Sequence, residues 1–167
     1  MSRFKVFRGL VQVKARSSIH DTVTKYEKLS GSIEFDPDEP RAAQAQISVD
    51  MRVFDAGDRF KNWKIKSDLD PDAHPTATFR LTVMNDVHET SSGRFKAKAT
   101  GQLEWRGRTV DLTVNGTATV DRRGIEATAT FELDVKKLGI SPPKFLMFKV
   151  EDEVVVQVSL FATIAAS

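Results

Sequence analysis

The chain has 167 residues, enough for one domain and short for two, so we expect a single domain over residues 1–167. Its 25 basic and 23 acidic residues leave a net charge of +2 and are spread along the whole chain, which disfavours nucleic-acid binding. The absence of cysteine excludes disulfides, thiolate nucleophiles and cysteine-based zinc sites.

The amino terminus, MSRFKVFRGL, is basic but lacks the apolar core and the small-residue cleavage site of a signal peptide. No stretch approaches the ~20 apolar residues that a membrane-spanning helix needs. We therefore expect a cytoplasmic protein without a transmembrane segment, or a periplasmic one if a signal sequence was removed.

Apolar and polar residues alternate with a period of two along most of the chain, which is the pattern of strands with one buried face. Eight such runs follow one another: Gly9–Ala15, Leu29–Phe35, Ile47–Val53, Ala77–Val83, Phe95–Trp105, Leu112–Val120, Ile125–Val135 and Val154–Ala162. Tight turns at Arg106-Gly107 and Asp121–Gly124 and a polar loop at Asn85–Gly93 join neighbouring runs, so the strands are antiparallel.

Three connections are longer than the others: residues 17–28, 54–75 and 136–150. They follow the first, third and seventh strands, so in an up-and-down barrel all three lie at one end. The middle connection, between strands 3 and 4, has room for a short helix near Asp58–Ser67. The long strands favour an eight-stranded antiparallel up-and-down barrel, with an all-β sandwich as the alternative.

The inward face of these strands contains many small residues, among them Ala99, Gly101 and Ala129. Small inward residues leave room for a guest molecule. Alternatively, the aromatic residues Phe35, Phe79, Phe95, Phe131 and Trp105 fill the interior. The pattern alone leaves both possibilities open.

Candidate catalytic groups are few. The three histidines, His20, His74 and His88, show no metal-binding spacing, and there is no nucleophile-elbow or phosphate-loop motif. The alternating Asp68, Asp70 and Asp72 lack the glycine and the terminal glutamate of a calcium loop. We predict no enzyme activity, no catalytic residue, no metal site and no cofactor other than a bound lipid.

Four stretches resemble the YceI-like family of polyisoprenoid-binding, lipocalin-like barrels. They are Leu29–Asp36 (LSGSIEFD), Lys64–Phe79 with its SDLDP and HPTATF segments, Gly101–Thr109 (GQLEWRGRT), and Leu138–Ile140 followed by Val150–Val156. The order and spacing of the four match the family over about Val11 to Ala162. The chain departs from the family in its opening segment, in the displaced His20, in His74 where tyrosine is common, and in lacking a secretion signal.

The resemblance implies a lipocalin-like barrel that binds a polyisoprenoid or a fatty-acid-like amphiphile as carrier, store or sensor. The predicted tail-binding residues are Ile33, Phe35, Val49, Met51, Phe79, Leu81, Ala99, Leu103, Val114, Ala129, Phe131 and Leu133. His20, Tyr26 or Trp63, near the mouth, would meet the head group. The outward Val155 and Phe161 of the last strand offer a contact for a homodimer.

Two other functions compete with lipid binding. One is a protein-interaction or structural barrel with a filled core and no ligand. The other is an isomerase or hydrolase that uses His20 with a loop carboxylate. Lipid that copurifies with the protein would favour lipid binding over both of these functions.

Overall fold

A closed antiparallel barrel forms the body of the computed structural model, which describes residues 2–17, 21–140, 144–145 and 148–165. The strands are β1 (Ser2–Ser17), β2 (Thr22–Tyr26), β3 (Leu29–Phe35), β4 (Gln44–Asp50), β5 (Phe54–Asp55), β6 (Thr76–Ser91), β7 (Arg94–Trp105), β8 (Arg108–Asp121), β9 (Gly124–Asp134), β10 (Lys144–Phe145) and β11 (Phe148–Ile164). Eight of them pair in the order β1-β3-β4-β6-β7-β8-β9-β11, and β11 pairs back onto β1 to close the ring. The predicted eight-stranded antiparallel barrel is confirmed.

Two short strands extend the barrel wall at one end. β2 pairs with Val11–Ala15 of β1, whereas β3 pairs with Ser2–Lys5 of the same strand. β5 in turn pairs with the end of β2. The sequence pattern placed both short strands in long connections, because each is too short to show a periodic run.

One α-helix, α1 (Arg59–Leu69), follows β5. Asp58 caps its first turn by accepting a hydrogen bond from the Lys61 amide at 2.8 Å, and Asp70 ends it in the left-handed conformation at φ 46°. The helix was predicted between strands 3 and 4. That position is not quite matched, since the unpredicted β2 and β5 precede the helix and place it after the fifth strand. Within the described ranges, no helix has the length and hydropathy needed to cross a bilayer.

β-Bulges explain where the predicted strand bounds were wrong. β1 begins at Ser2 instead of Gly9, and its register against β11 shifts between Val6 and Arg8. β6 continues to Ser91, through the predicted loop Asn85–Gly93, with register shifts after Leu81, Met84 and Glu89. An extra residue at a bulge reverses the alternation of faces, so each strand reads as a shorter run.

The two ends of the barrel differ. A compact apolar cluster of Phe4, Phe35, Phe95, Ile125, Leu160 and Ala162 closes the end that carries the β6–β7 turn and the Asp121–Gly124 turn. The Phe35 and Phe95 rings meet edge to face with centroids 5.1 Å apart. The opposite end carries α1 and a 3-10 turn at Val135–Leu138. The described parts of the 54–75 and 136–150 connections thus lie at one mouth, as predicted, whereas residues 18–20, 141–143 and 146–147 lie outside the described residues.

Candidate functional site

A cavity of about 300 Å³ occupies the half of the barrel next to α1. All eight strands of the closed barrel contribute residues to its wall, together with β2, α1 and the segment after β9. The lining residues are Val11, Val13, Ala15, Thr22, Thr24, Tyr26, Ile33, Ala45, Ile47, Val49, Met51, Ile65, Asp68, Leu69, Ala77, Phe79, Leu103, Trp105, Val114, Ala129, Phe131, Leu133, Val135, Leu138, Ile140, Val154, Val156, Val158 and Leu160. Almost every one is apolar, which suits a hydrocarbon guest.

Several inward side chains are only partly buried because they face this cavity instead of packed protein. Ile33, Val49, Phe79, Leu103 and Phe131 all belong to this group. In a filled core, inward residues of this size would be fully enclosed. The interior is therefore hollow at one end and packed at the other.

At some small inward residues a neighbouring side chain fills the space, and at others the space is open to a guest molecule. A β-carbon added to Gly101 would lie 2.3 Å from the Phe79 ring, so an aromatic side chain already takes that space. A β-carbon on Gly9 would lie 2.6 Å from Leu29 Cδ2. Ala129, by contrast, borders the cavity directly.

Helix α1 covers the mouth with one face. Ile65, Asp68 and Leu69, at i, i+3 and i+4, line the cavity. Phe60 and Trp63 lie on the outer face, 54% and 62% exposed, with ring centroids 6.1 Å apart.

Within the described part of the chain, few hydrogen bonds hold this helix to the rest of the molecule. The Arg106 guanidinium donates to the Leu69 carbonyl at the carboxyl end, and the Asn62 side chain accepts from the Ala56 amide near the amino end. No residue of α1 is fully buried. The helix is therefore the less firmly packed part of the cavity wall.

Apart from the Trp105 indole, the polar side chains in the described part of the wall lie on two elements, β2 and α1. Thr22, Thr24 and Tyr26 alternate along β2 and are all buried. On α1, Asp68 accepts a hydrogen bond from Lys64 Nζ at 3.1 Å through Oδ1, while its Oδ2 is buried without a partner in the described part of the chain. Burial raises the pKa of the Tyr26 hydroxyl well above its usual value, so this group stays protonated.

The structure brings ten of the predicted site residues together in the cavity wall. They are Tyr26, Ile33, Val49, Met51, Phe79, Leu103, Val114, Ala129, Phe131 and Leu133. Their contact with a ligand stays a prediction.

The other predicted site residues lie elsewhere. Phe35 belongs to the cluster that closes the far end. Ala99 is buried outside the lining, and Leu81 borders an outer groove beside β4, where a bulge displaces it. Trp63 is on the outer face of α1 because its helical position is opposite Ile65 and Leu69. His20 falls outside the described residues.

Some residues of the cavity wall were not predicted as site residues, although the alternating pattern placed them on the inward face. Val11, Val13, Val154 and Val156 are inward positions of the first and last runs, and these strands meet where the barrel closes. Ile65, Asp68 and Leu69 had only the spacing of a short helix, which does not show which face turns inward.

The histidines in the described part of the chain take no part in the cavity. The His74 carbonyl accepts a hydrogen bond from the Trp105 indole at 2.9 Å, and His88 is exposed on β6. The described residues contain no group of three or more histidine or acidic side chains that could hold a metal ion.

Comparisons with known proteins agree with this architecture. The profile of the YceI-like domain family matches residues 5–162. A crystal structure of BcnA from Burkholderia cenocepacia is similar at a TM-score of 0.74 and 23% identity, covering 93% of this chain and 96% of that one. A comparison with curated protein sequences finds no match.

Two further solved structures share the fold. A domain from Saccharophagus degradans, described as polyisoprenoid binding and implicated in plant cell wall breakdown, aligns at a TM-score of 0.69 and 9% identity, over 99% of this chain and 100% of that one. The YceI protein of Campylobacter jejuni aligns at 0.66 and 13% identity, over 86% and 85%. At these identities the likeness concerns the fold.

Proposed function

Because the chain belongs to the YceI-like family, we propose that it binds the long apolar chain of a lipid, a polyisoprenoid or a fatty-acid-like amphiphile, inside the barrel. The observation that carries this proposal is the 300 Å³ cavity with its almost wholly apolar wall. A neighbour of the same fold is described as a polyisoprenoid-binding domain, which supports the same class of ligand.

The energetics favour a hydrocarbon guest. Each CH₂ group that moves from water into such a wall contributes about 0.8 kcal/mol. The cavity volume is at the lower end of the ~300–1,000 Å³ range of small-molecule sites, which suits a narrow chain better than a bulky ring system. A guest of this kind needs no cofactor and no catalytic group, so we infer a binding protein and not an enzyme.

The placement of α1 supports a role as carrier, store or sensor. Each of these roles requires that a lipid enter and leave the barrel. The helix covers the mouth with three inward side chains, has no fully buried residue and belongs to no strand ladder, so its opening would leave the barrel ladders intact.

Intrinsic fluorescence tests the proposal. The chain has two tryptophans, and Trp105 lines the cavity whereas Trp63 is exposed, so the Trp63→Phe variant reports on the cavity alone. Titration with farnesol or palmitic acid is expected to change Trp105 emission saturably, with one molecule bound per chain. An unchanged spectrum with both probes would favour a protein-interaction or structural barrel that binds no lipid.

A further inference from the structure

Three hydroxyl groups line one strip of the cavity. Thr22, Thr24 and Tyr26 occupy alternate positions of β2 and are 8%, 5% and 3% exposed. Their partners across the β1 ladder are the apolar residues Ala15, Val13 and Val11. The strip is therefore a local polar surface in an apolar wall.

These hydroxyls have no hydrogen-bond partner among the described residues, and their oxygens are not among the fully enclosed unpaired atoms, so they are open to the cavity. The raised pKa of Tyr26 agrees with this, since desolvation is its cause and neither a hydrogen bond nor a nearby charge contributes. A polar group that faces an apolar cavity without a protein partner can be satisfied only by water or by a ligand. A ligand group that both donates and accepts hydrogen bonds would satisfy them.

The charge of the wall argues against an anionic ligand group. In the described part of the chain, the lining contains no lysine, arginine or histidine, and its one charged side chain is the carboxylate of Asp68. The nearest described cation to that carboxylate, Lys64, is already paired with it. A phosphate or carboxylate drawn into this cavity would lose its hydration and gain no counter-charge from the described lining residues.

We propose that the inward face of β2 binds an uncharged, hydrogen-bonding head group of the lipid, a hydroxyl or a carbonyl, and that Asp68 disfavours phosphate and carboxylate head groups. Thr22, Thr24 and Tyr26 are the specificity-determining residues. The inference rests on the proposed function and adds the chemical class of the ligand to it.

Three probes with the same branched fifteen-carbon skeleton separate the contributions of tail and head. They are farnesol, farnesyl phosphate and the saturated hydrocarbon farnesane, each titrated below its aggregation limit against the Trp63→Phe protein. Farnesol is expected to bind at least about fivefold more tightly than farnesane, the effect of one or two hydrogen bonds. Farnesyl phosphate is expected to bind more weakly than farnesol.

Substitutions of similar shape then locate the head group. Tyr26→Phe and Thr24→Val are each expected to lower farnesol affinity about fivefold and leave farnesane affinity unchanged or raised. Thr130→Val, on the exposed face of β9, is the matched control and is expected to change neither. Asp68→Asn is expected to raise farnesyl phosphate affinity by at least about tenfold while farnesol changes little.

The outcomes distinguish failure of the head-group site from failure of the proposed lipid binding. Equal affinity for farnesol and farnesane, in the wild type and in both β2 variants, would overturn the head-group site and leave the lipid-binding proposal standing. Tightest binding of farnesyl phosphate would also overturn the inference. Failure of all three probes to bind would count against the proposed function, and the inference would fall with it.

Discussion

Ala129 and Ala99 are both inward alanines of the barrel, but only Ala129 faces the cavity. We predict that Ala129→Trp places its indole in the cavity, abolishes lipid binding and leaves a folded protein, because empty space receives the new ring. Ala99→Trp has no such space and is expected to lower the free energy of unfolding by about 1–3 kcal/mol or more. Urea unfolding and farnesol titration measure the two effects.

Thr130→Trp is the control for this pair, since Thr130 follows Ala129 in the same strand and is exposed. It is expected to retain both stability and binding. Full farnesol affinity in a folded Ala129→Trp protein would show that the tail lies elsewhere.

Asp50 gives a pH-dependent test of the bend between β4 and β5. Its carboxylate accepts hydrogen bonds from the Arg52 amide and side chain, each at 3.0 Å, and these lower its pKa from 3.8 to about 2. A lowered pKa stabilises the fold above pH 3.8, and the contribution disappears as the pH falls from there towards 2.

The expected contribution is about 1 kcal/mol or less, because the pair is near the surface. Urea unfolding of wild type and Asp50→Asn at pH 5.5 and at pH about 2 checks it. The wild type should be the more stable at the higher pH and should lose that advantage at the lower one. A constant difference would mean that the Asp50–Arg52 contacts contribute nothing to stability.

Among the elements, α1 should open separately from the barrel. Asp58→Ala removes its amino-terminal cap and is expected to destabilise the helix by about 1 kcal/mol. Because no α1 residue is fully buried, hydrogen exchange of the helix amides should accelerate while that of the barrel strands and the Tm stay nearly constant.

Ser67→Ala, an exposed position of the same helix, is the control and should not accelerate exchange. Equal acceleration in α1 and in β8 of the Asp58→Ala variant would show that the helix and the barrel unfold as one unit.

The elements that sequence could predict are those with unbroken alternation. β7, β8 and β9 follow a period of two throughout and were found in place. The first half of β1 and the second half of β6 were missed because bulges change which face a residue occupies. Such shifts depend on pairing with a neighbouring strand, which the alternation within one strand does not contain.

At the scale of the whole molecule, the barrel is closed by a long β1–β11 ladder and filled at one end only. Alternation predicted which residues turn inward, and this was enough to find nine of the ten predicted lining residues, whereas Tyr26 was predicted as a head-group contact near the mouth. It could not predict which inward residues meet each other, so Phe35 was assigned to the cavity although it packs on Phe95 in the plugged end. Nor could it orient α1, whose inward face includes the polar Asp68.

A ligand that binds only the folded barrel should stabilise the whole molecule by mass action. At a free concentration one hundred times its Kd, a single bound lipid adds about 2.7 kcal/mol. For a chain of this length, that corresponds to a Tm increase of about 5–10 °C. Differential scanning fluorimetry with farnesol should show this increase in the wild type and none in Ala129→Trp.

The most direct measurement of the central claim is native mass spectrometry of the purified protein, followed by organic extraction. After incubation with farnesol, we predict one additional mass of that lipid per chain, lost on denaturation, recovered in the organic phase, and absent from Ala129→Trp. A wild-type protein that keeps its apo mass with farnesol and with palmitic acid, under conditions in which it is folded, would contradict the account.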